Sequence, residues 1–84
     1  MYDDFSDRLT VFNGDEKVVD NIVVGDYVIS LSKGGNVIGL EIIGISNVLR
    51  DYEINTEILN NLKNVELKAV SRNGAIYIFF NLES

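Results

Sequence analysis

Two strand-like runs joined by a glycine turn, in residues 27–46, constrain the fold of this 84-residue chain most strongly. Gly34 and Gly35 can supply the positive φ angles of a tight hairpin turn, which leaves Ser32 facing Val37. Three further cross-strand pairs place six large apolar side chains on one face: Leu31 with Ile38, Ile29 with Leu40, and Tyr27 with Ile42. A slip of one residue would bury Glu41, so the register is expected to be unique.

The residues before this hairpin are predicted to add strands to its edge. Leu9 and Val11 alternate with more polar neighbours, which is typical of a short strand. Residues 13–16 have the composition of a turn. Residues 18–24 are predicted as the next strand, with Val18, Ile22 and Val24 on one face and Val19 and Val23 on the other.

After the hairpin the spacing of the apolar residues changes from that of a strand to one that favours an α-helix. Residues 47–53 are compatible with one helical turn, and residues 54–63 predict a helix more firmly. Asn55 is the expected N-cap, and an apolar stripe can pack on one face of the sheet: Ile58, Leu59 and Leu62.

Residues 65–82 form a second predicted hairpin about Asn73 and Gly74. One face is expected in the core: Val65, Leu67 and Ala69 paired with Leu82, Phe80 and Ile78. The other face holds an aromatic and apolar group with charged neighbours: Val70, Tyr77 and Phe79 beside Lys68, Arg72 and Glu66. This group is either a protein contact surface or ordinary core that the helix or the N-terminal strands cover.

These patterns predict a single domain over residues 1–84. Its class is α+β and mainly β, built as an antiparallel β meander of five to six strands. Two hairpins and one short helix packed on the sheet complete the predicted fold.

Charge and composition exclude several classes of function. Thirteen acidic and seven basic residues give a net charge of −6, which argues against direct binding of nucleic acid or of anionic membranes. No apolar run approaches the roughly 20 residues that cross a bilayer. Without histidine or cysteine the chain has no Cys-His or Ser-His catalytic pair and no disulfide framework. We therefore expect a cytoplasmic protein that has no cofactor and is not an enzyme.

Four carboxylates are the remaining candidates for site chemistry. Asp3, Asp4 and Asp7 lie close together in the sequence, and Glu41 interrupts an apolar strand. The aspartates lack the ligand spacing and glycine bend of a calcium loop, which favours a solvated turn. Glu41 could perform acid-base chemistry with Asp3, Asp7 or Asp26, although exposure to water or an ion pair with lysine or arginine is the simpler expectation.

The first half of the chain also carries a pattern of residues that resembles the DUF2283 family of small domains. The residues that carry this pattern are Tyr2, Asp3, Asp7, Leu9, Gly35, Asn36, Val37, Gly39, Glu41, Ile42 and Ser46. The resemblance implies a small intracellular protein without established activity. Some members of that family are encoded beside RelE-like toxin domains, which suggests an antitoxin or partner-subunit role.

Three functional hypotheses follow. The first is a non-catalytic interaction module that self-associates, as a dimer, through the second hairpin or through a sheet edge. The second is an antitoxin-like partner that masks a basic, RelE-like toxin. The third is a small ligand-binding or metal-binding protein that uses Asp7 and Glu41.

Overall fold

The computed structural model describes residues 1–83, and within that range the chain forms seven strands, one α-helix and one 3₁₀ helix. The elements in chain order are β1 (Tyr2–Asp3), β2 (Arg8–Phe12), β3 (Asp20–Val24), β4 (Tyr27–Leu31), β5 (Val37–Ile43), α1 (Ile45–Asp51), the 3₁₀ helix (Thr56–Asn61), β6 (Asn64–Arg72) and β7 (Ala75–Glu83). The predicted α+β, mainly β class is confirmed.

The strands form two antiparallel sheets and not one meander. Five strands lie in the order β1-β2-β5-β4-β3, and β6 pairs only with β7. The seven-residue strand β5 is paired along both edges, with β4 on one side and β2 on the other. Between β2 and β3 the chain therefore crosses from one side of the central strand β5 to the far edge of the sheet. Strand β3 is shorter than the predicted residues 18–24.

The central hairpin β4–β5 has the predicted register except next to its turn. Tyr27 pairs with Ile42 and Ile29 with Leu40, as expected. The register then shifts between Ser30 and Leu31, so that Leu31 pairs with Val37. The predicted pairs Leu31 with Ile38 and Ser32 with Val37 are therefore wrong.

The loop geometry accounts for this shift. The Ser32 N–H donates to the Asn36 carbonyl at 3.0 Å, and the Gly35 N–H donates to the Ser32 carbonyl at 2.9 Å. Ser32 and Asn36 thus close the loop, and the extra residue is accommodated as a bulge in the neighbouring pair.

The core lies between the inner face of the five-stranded sheet and the β6–β7 hairpin. Its buried members come from both sheets and both helices: Leu9, Val11, Leu40, Ile42, Ile45, Leu49, Leu59 and Leu67. A hydrogen bond from Asn13 Nδ2 to the Leu67 carbonyl also joins the end of β2 to β6. This contact holds the hairpin over the sheet.

The helices differ from the prediction. The α-helix is α1, whereas the more firmly predicted residues 54–63 contain only the 3₁₀ helix. The expected cap at Asn55 is confirmed, because its side chain accepts a hydrogen bond from the Glu57 N–H at 2.9 Å. Helix α1 follows Gly44, which has a left-handed φ of 71° and makes no capping hydrogen bond through a side chain. Its start therefore carries no local capping signal in the sequence.

Candidate functional site

The β6–β7 hairpin has the predicted register throughout. Asn73 and Gly74 both adopt positive φ angles, 52° and 79°, as a tight hairpin turn of the type favoured by Asn-Gly requires. The strands then pair without a break from Arg72 and Ala75 to Asn64 and Glu83. Each strand has nine residues, so this hairpin is the longest two-stranded unit of the described chain.

The two faces of this hairpin have different environments. Side chains of the inner face pack against the core: Val65, Leu67, Ile78, Phe80 and Leu82. The prediction that Ala69 joins them is wrong, because Ala69 is exposed near the turn end of the hairpin. On the opposite, outer face, Tyr77 is 51% exposed and Phe79 is 58% exposed. Neither the helices nor the N-terminal strands cover this outer face in the single chain. Of the two alternatives left open by the sequence, covered core and an exposed surface, the structure shows the exposed surface.

The outer face combines aromatic and cationic groups. Val70, Arg72, Tyr77 and Phe79 line a shallow depression of about 340 Å³. Lys68 is exposed and pairs across the ladder with Phe79. The structure thus brings together all five residues that the sequence indicated as a contact surface.

A second apolar groove lies between the inner face of β7 and the β3–β4 side of the sheet. It has a volume of about 240 Å³ and is lined by Val24, Tyr27, Ile29, Leu40, Ile76, Ile78 and Phe80. Every residue of β3 is exposed, including Ile22, Val23 and Val24. This exposure was not predicted, because the three consecutive apolar residues that end β3 give no sign that they lack a cover.

Asp7 holds the N-terminal segment to the start of α1. Its Oδ1 accepts hydrogen bonds from the Tyr2 hydroxyl at 2.9 Å and from Ser46 Oγ at 2.7 Å. Both carboxylate oxygens also accept from the Ser46 N–H, at 3.3 and 3.2 Å, and the Asp7 carbonyl accepts from the Gly44 and Ile45 N–H groups. Asp7 therefore caps α1 from a distant part of the chain.

The charge state of Asp7 follows from these contacts. Burial acts to raise the pKa of Asp7, but the hydrogen bonds from Ser46 and Tyr2 and the charge of Arg50 outweigh it, so the pKa lies below its usual value. Burial and the hydrogen bond to Asp7 raise the pKa of the Tyr2 phenol. The carboxylate is therefore the charged acceptor and the phenol its neutral donor.

Two of the other candidate carboxylates, Asp3 and Glu41, have separate partners, and Asp4 is exposed. Asp3 accepts a hydrogen bond from the Phe5 N–H at 3.0 Å, and hydrogen bonding to Ser6 lowers the pKa of Asp3. Glu41 forms a 3.0 Å ion pair with Arg8 on the outer side of the five-stranded sheet, as the simpler expectation held. Asp7 is therefore hydrogen-bonded to Tyr2 and Ser46, whereas Glu41 is paired with Arg8.

Neither metal ligation nor a membrane span is evident in residues 1–83. No group of three or more acidic side chains in that range is arranged to hold a metal ion. Neither helix of the described chain has the length and apolarity to cross a bilayer.

No family model, curated protein or solved structure matches this chain. The resemblance to the DUF2283 family therefore stays a prediction from the residue pattern. The structure gives several of those residues structural partners: Tyr2 and Ser46 both donate hydrogen bonds to Asp7, and Gly39 lies buried in β5.

Proposed function

We propose that this chain is a non-catalytic interaction module that works in the cytoplasm and associates with a second copy of itself through the outer face of the β6–β7 hairpin. The observation that carries the proposal is the exposure of Tyr77 and Phe79 on a face that also presents Val70, Lys68 and Arg72. The absence of cysteine suits a reducing compartment.

The physical argument begins with the hairpin itself. A two-stranded sheet is only marginally stable alone, and here it gains support from one face only. Burying half-exposed aromatic side chains against another protein recovers hydrophobic free energy at roughly 25 cal/mol per Å². Aromatic and arginine side chains are also the groups that most often dominate binding at the centre of an interface.

The outer face is a better interface than the open edge of β3. The Asn21 N–H donates to the Asp20 carboxylate at 2.8 Å, so this edge amide is already occupied. An added strand would also meet the charge of Asp20 directly, and a charged side chain on an edge strand disfavours such pairing. The outer face of the hairpin has no acidic group between Leu67 and Leu82.

The test is the native mass by light scattering after size exclusion, over a range of concentrations, for the unaltered chain and for Phe79→Glu. We expect the unaltered chain to move from monomer to dimer with concentration and the variant to stay monomeric with an unchanged far-UV circular dichroism spectrum. Phe5→Glu is the matched control, because Phe5 is almost fully exposed and far from the hairpin in sequence. A variant that keeps the dimer mass would contradict the proposed surface.

A further inference from the structure

The outer face of the hairpin has opposite charges at its two ends, Glu66 and Arg72, with Lys68 between them. Glu66, Lys68, Val70 and Arg72 follow one another on this face of β6, because alternate residues of a strand point to the same side. Glu66 and Arg72 lie three positions on either side of Ala69. They are about 20 Å apart at roughly 3.3 Å per residue, too far to form an ion pair within one strand.

Neither end charge forms an ion pair in the described chain, although Lys68 is the next residue after Glu66 on this face of β6. The ion pair that residues 1–83 contain joins Arg8 and Glu41 on the other sheet. Across the ladder Glu66 faces Asn81 and Arg72 faces Ala75. The only side-chain partner of Glu66 in that range is Asn64, whose Nδ2 donates to Oε1 at 3.3 Å.

We propose that two copies pack these outer faces together about a two-fold axis that crosses the strands at the level of Ala69. This inference rests on the proposed self-association and specifies its geometry. The axis turns the hairpin end for end, so Glu66 faces Arg72 of the partner subunit and Arg72 faces Glu66 of the partner subunit. Phe79 then lies over the partner's Tyr77 near the centre.

The two end charges favour this axis over the other two-fold arrangement of the same faces. Lys68 meets no opposite charge in either one, because it faces Val70 of the partner subunit in the first and Phe79 of the partner subunit in the second. An axis parallel to the strands would place Glu66 over Asn81 of the partner subunit and Arg72 over Ala75 of the partner subunit. Both charges would then be covered without an opposite charge, which is unfavourable in a partly desolvated contact. The end-for-end arrangement pairs them twice.

The size of the face sets the expected affinity. A ribbon of two nine-residue strands is about 30 Å long, since each residue adds roughly 3.3 Å, and it offers less than the roughly 800 Å² per partner of a typical stable interface. We therefore expect a dimer with a dissociation constant on the order of micromolar.

Charge reversal provides the test. Glu66→Arg and Arg72→Glu each place like charges opposite one another twice in a homodimer, so we expect each variant to dimerise at least about tenfold more weakly. Mixing the two variants restores opposite charges at both ends, and we expect a heterodimer of nearly the original affinity. Sedimentation equilibrium of the separate chains and of the mixture, with one variant labelled, measures all three association constants.

The control mixes Arg72→Glu with Glu16→Arg, which reverses an exposed loop charge and leaves its own hairpin unaltered. That heterodimer has one opposite-charge pair and one like-charge pair, so we expect it to be weaker than the heterodimer of Glu66→Arg with Arg72→Glu. Circular dichroism verifies that each variant is folded. Weakened single variants that fail to recover on mixing would overturn the end-for-end geometry, as would single variants with unchanged affinity. An unaltered chain that remains monomeric at every concentration would instead overturn the proposed self-association, and this geometry with it.

Discussion

The ring of Phe12 lies over Gly39, its direct partner across the β2–β5 ladder. A Cβ atom added at Gly39 would lie 2.6 Å from Cε1 and 2.7 Å from Cδ1 of Phe12, and 3.1 Å from Cβ of Ser30. Gly39 therefore leaves the space in which an aromatic ring covers the backbone of the central strand.

We expect Gly39→Ala to lower the free energy of unfolding by about 1 kcal/mol, since the added methyl group displaces the Phe12 ring. In a Phe12→Ala background the same change should cost much less, because the ring is no longer there. Urea denaturation of the four proteins of this cycle, at one low protein concentration, measures the difference. An equal cost in both backgrounds would show that the ring is not what requires glycine here.

Asp7→Asn tests the cap on α1. Asparagine tolerates the positive φ of 54° at this position, so the substitution removes the charge and one acceptor without straining the backbone. We expect a loss of about 1 kcal/mol in the free energy of unfolding, in the range of charge-assisted hydrogen bonds and helix caps. Asp4→Asn is the matched control, and a comparable loss in it would argue against a specific role for Asp7.

The acid dependence of stability should also change in Asp7→Asn. The pKa of Asp7 is lower in the folded chain than the value of about 3.9 for a free aspartate, so its contribution is fully present above about pH 4 and is lost as the pH falls through the folded pKa. The free energies of the unaltered chain and the variant should therefore converge below that pH. Urea midpoints between neutral and strongly acidic pH measure this, and parallel curves would contradict it.

The ion pair of Arg8 and Glu41 should contribute little to stability. Its side chains are 45% and 27% exposed, so water screens the attraction and the expected coupling is about 0.5 kcal/mol. A double-mutant cycle with Arg8→Ala and Glu41→Ala measures that coupling, which high salt should reduce. A coupling of several kcal/mol would reveal a role for Glu41 that this contact does not explain.

Local patterns account for most of the strands. The Asn-Gly turn and strict alternation set every pair of the β6–β7 hairpin, and the large apolar residues set the two pairs of β4–β5 farthest from the turn. The bulge at Leu31 escaped the sequence because two glycines permit loops of different length. Residues 47–53, given as compatible with one helical turn, overlap α1, but its start at Ile45 escaped the sequence because the capping carboxylate is Asp7, which lies 39 positions before Ser46.

The sequence located the residues of the candidate surface, but it could not predict whether that surface is exposed or buried. Alternation places Val70, Tyr77 and Phe79 on one face, yet only the position of the hairpin over the sheet decides which face meets the core. The exposure of β3 depends in the same way on how far β7 extends over the sheet, which no local pattern encodes. Local sequence determines the face to which a side chain points, whereas the packing of the whole chain determines whether that face is buried.

The crossing of the chain between β2 and β3 has a consequence for the order of folding. Strands β3, β4 and β5 join through short turns, so their pairing closes small loops and should form within microseconds. Strand β2 reaches β5 only after the chain has passed around the hairpin, and this distant contact carries a larger loss of chain entropy. We therefore expect the arrival of the N-terminal strand, with Asp7 closing on Ser46, to set the rate at which the native sheet is completed.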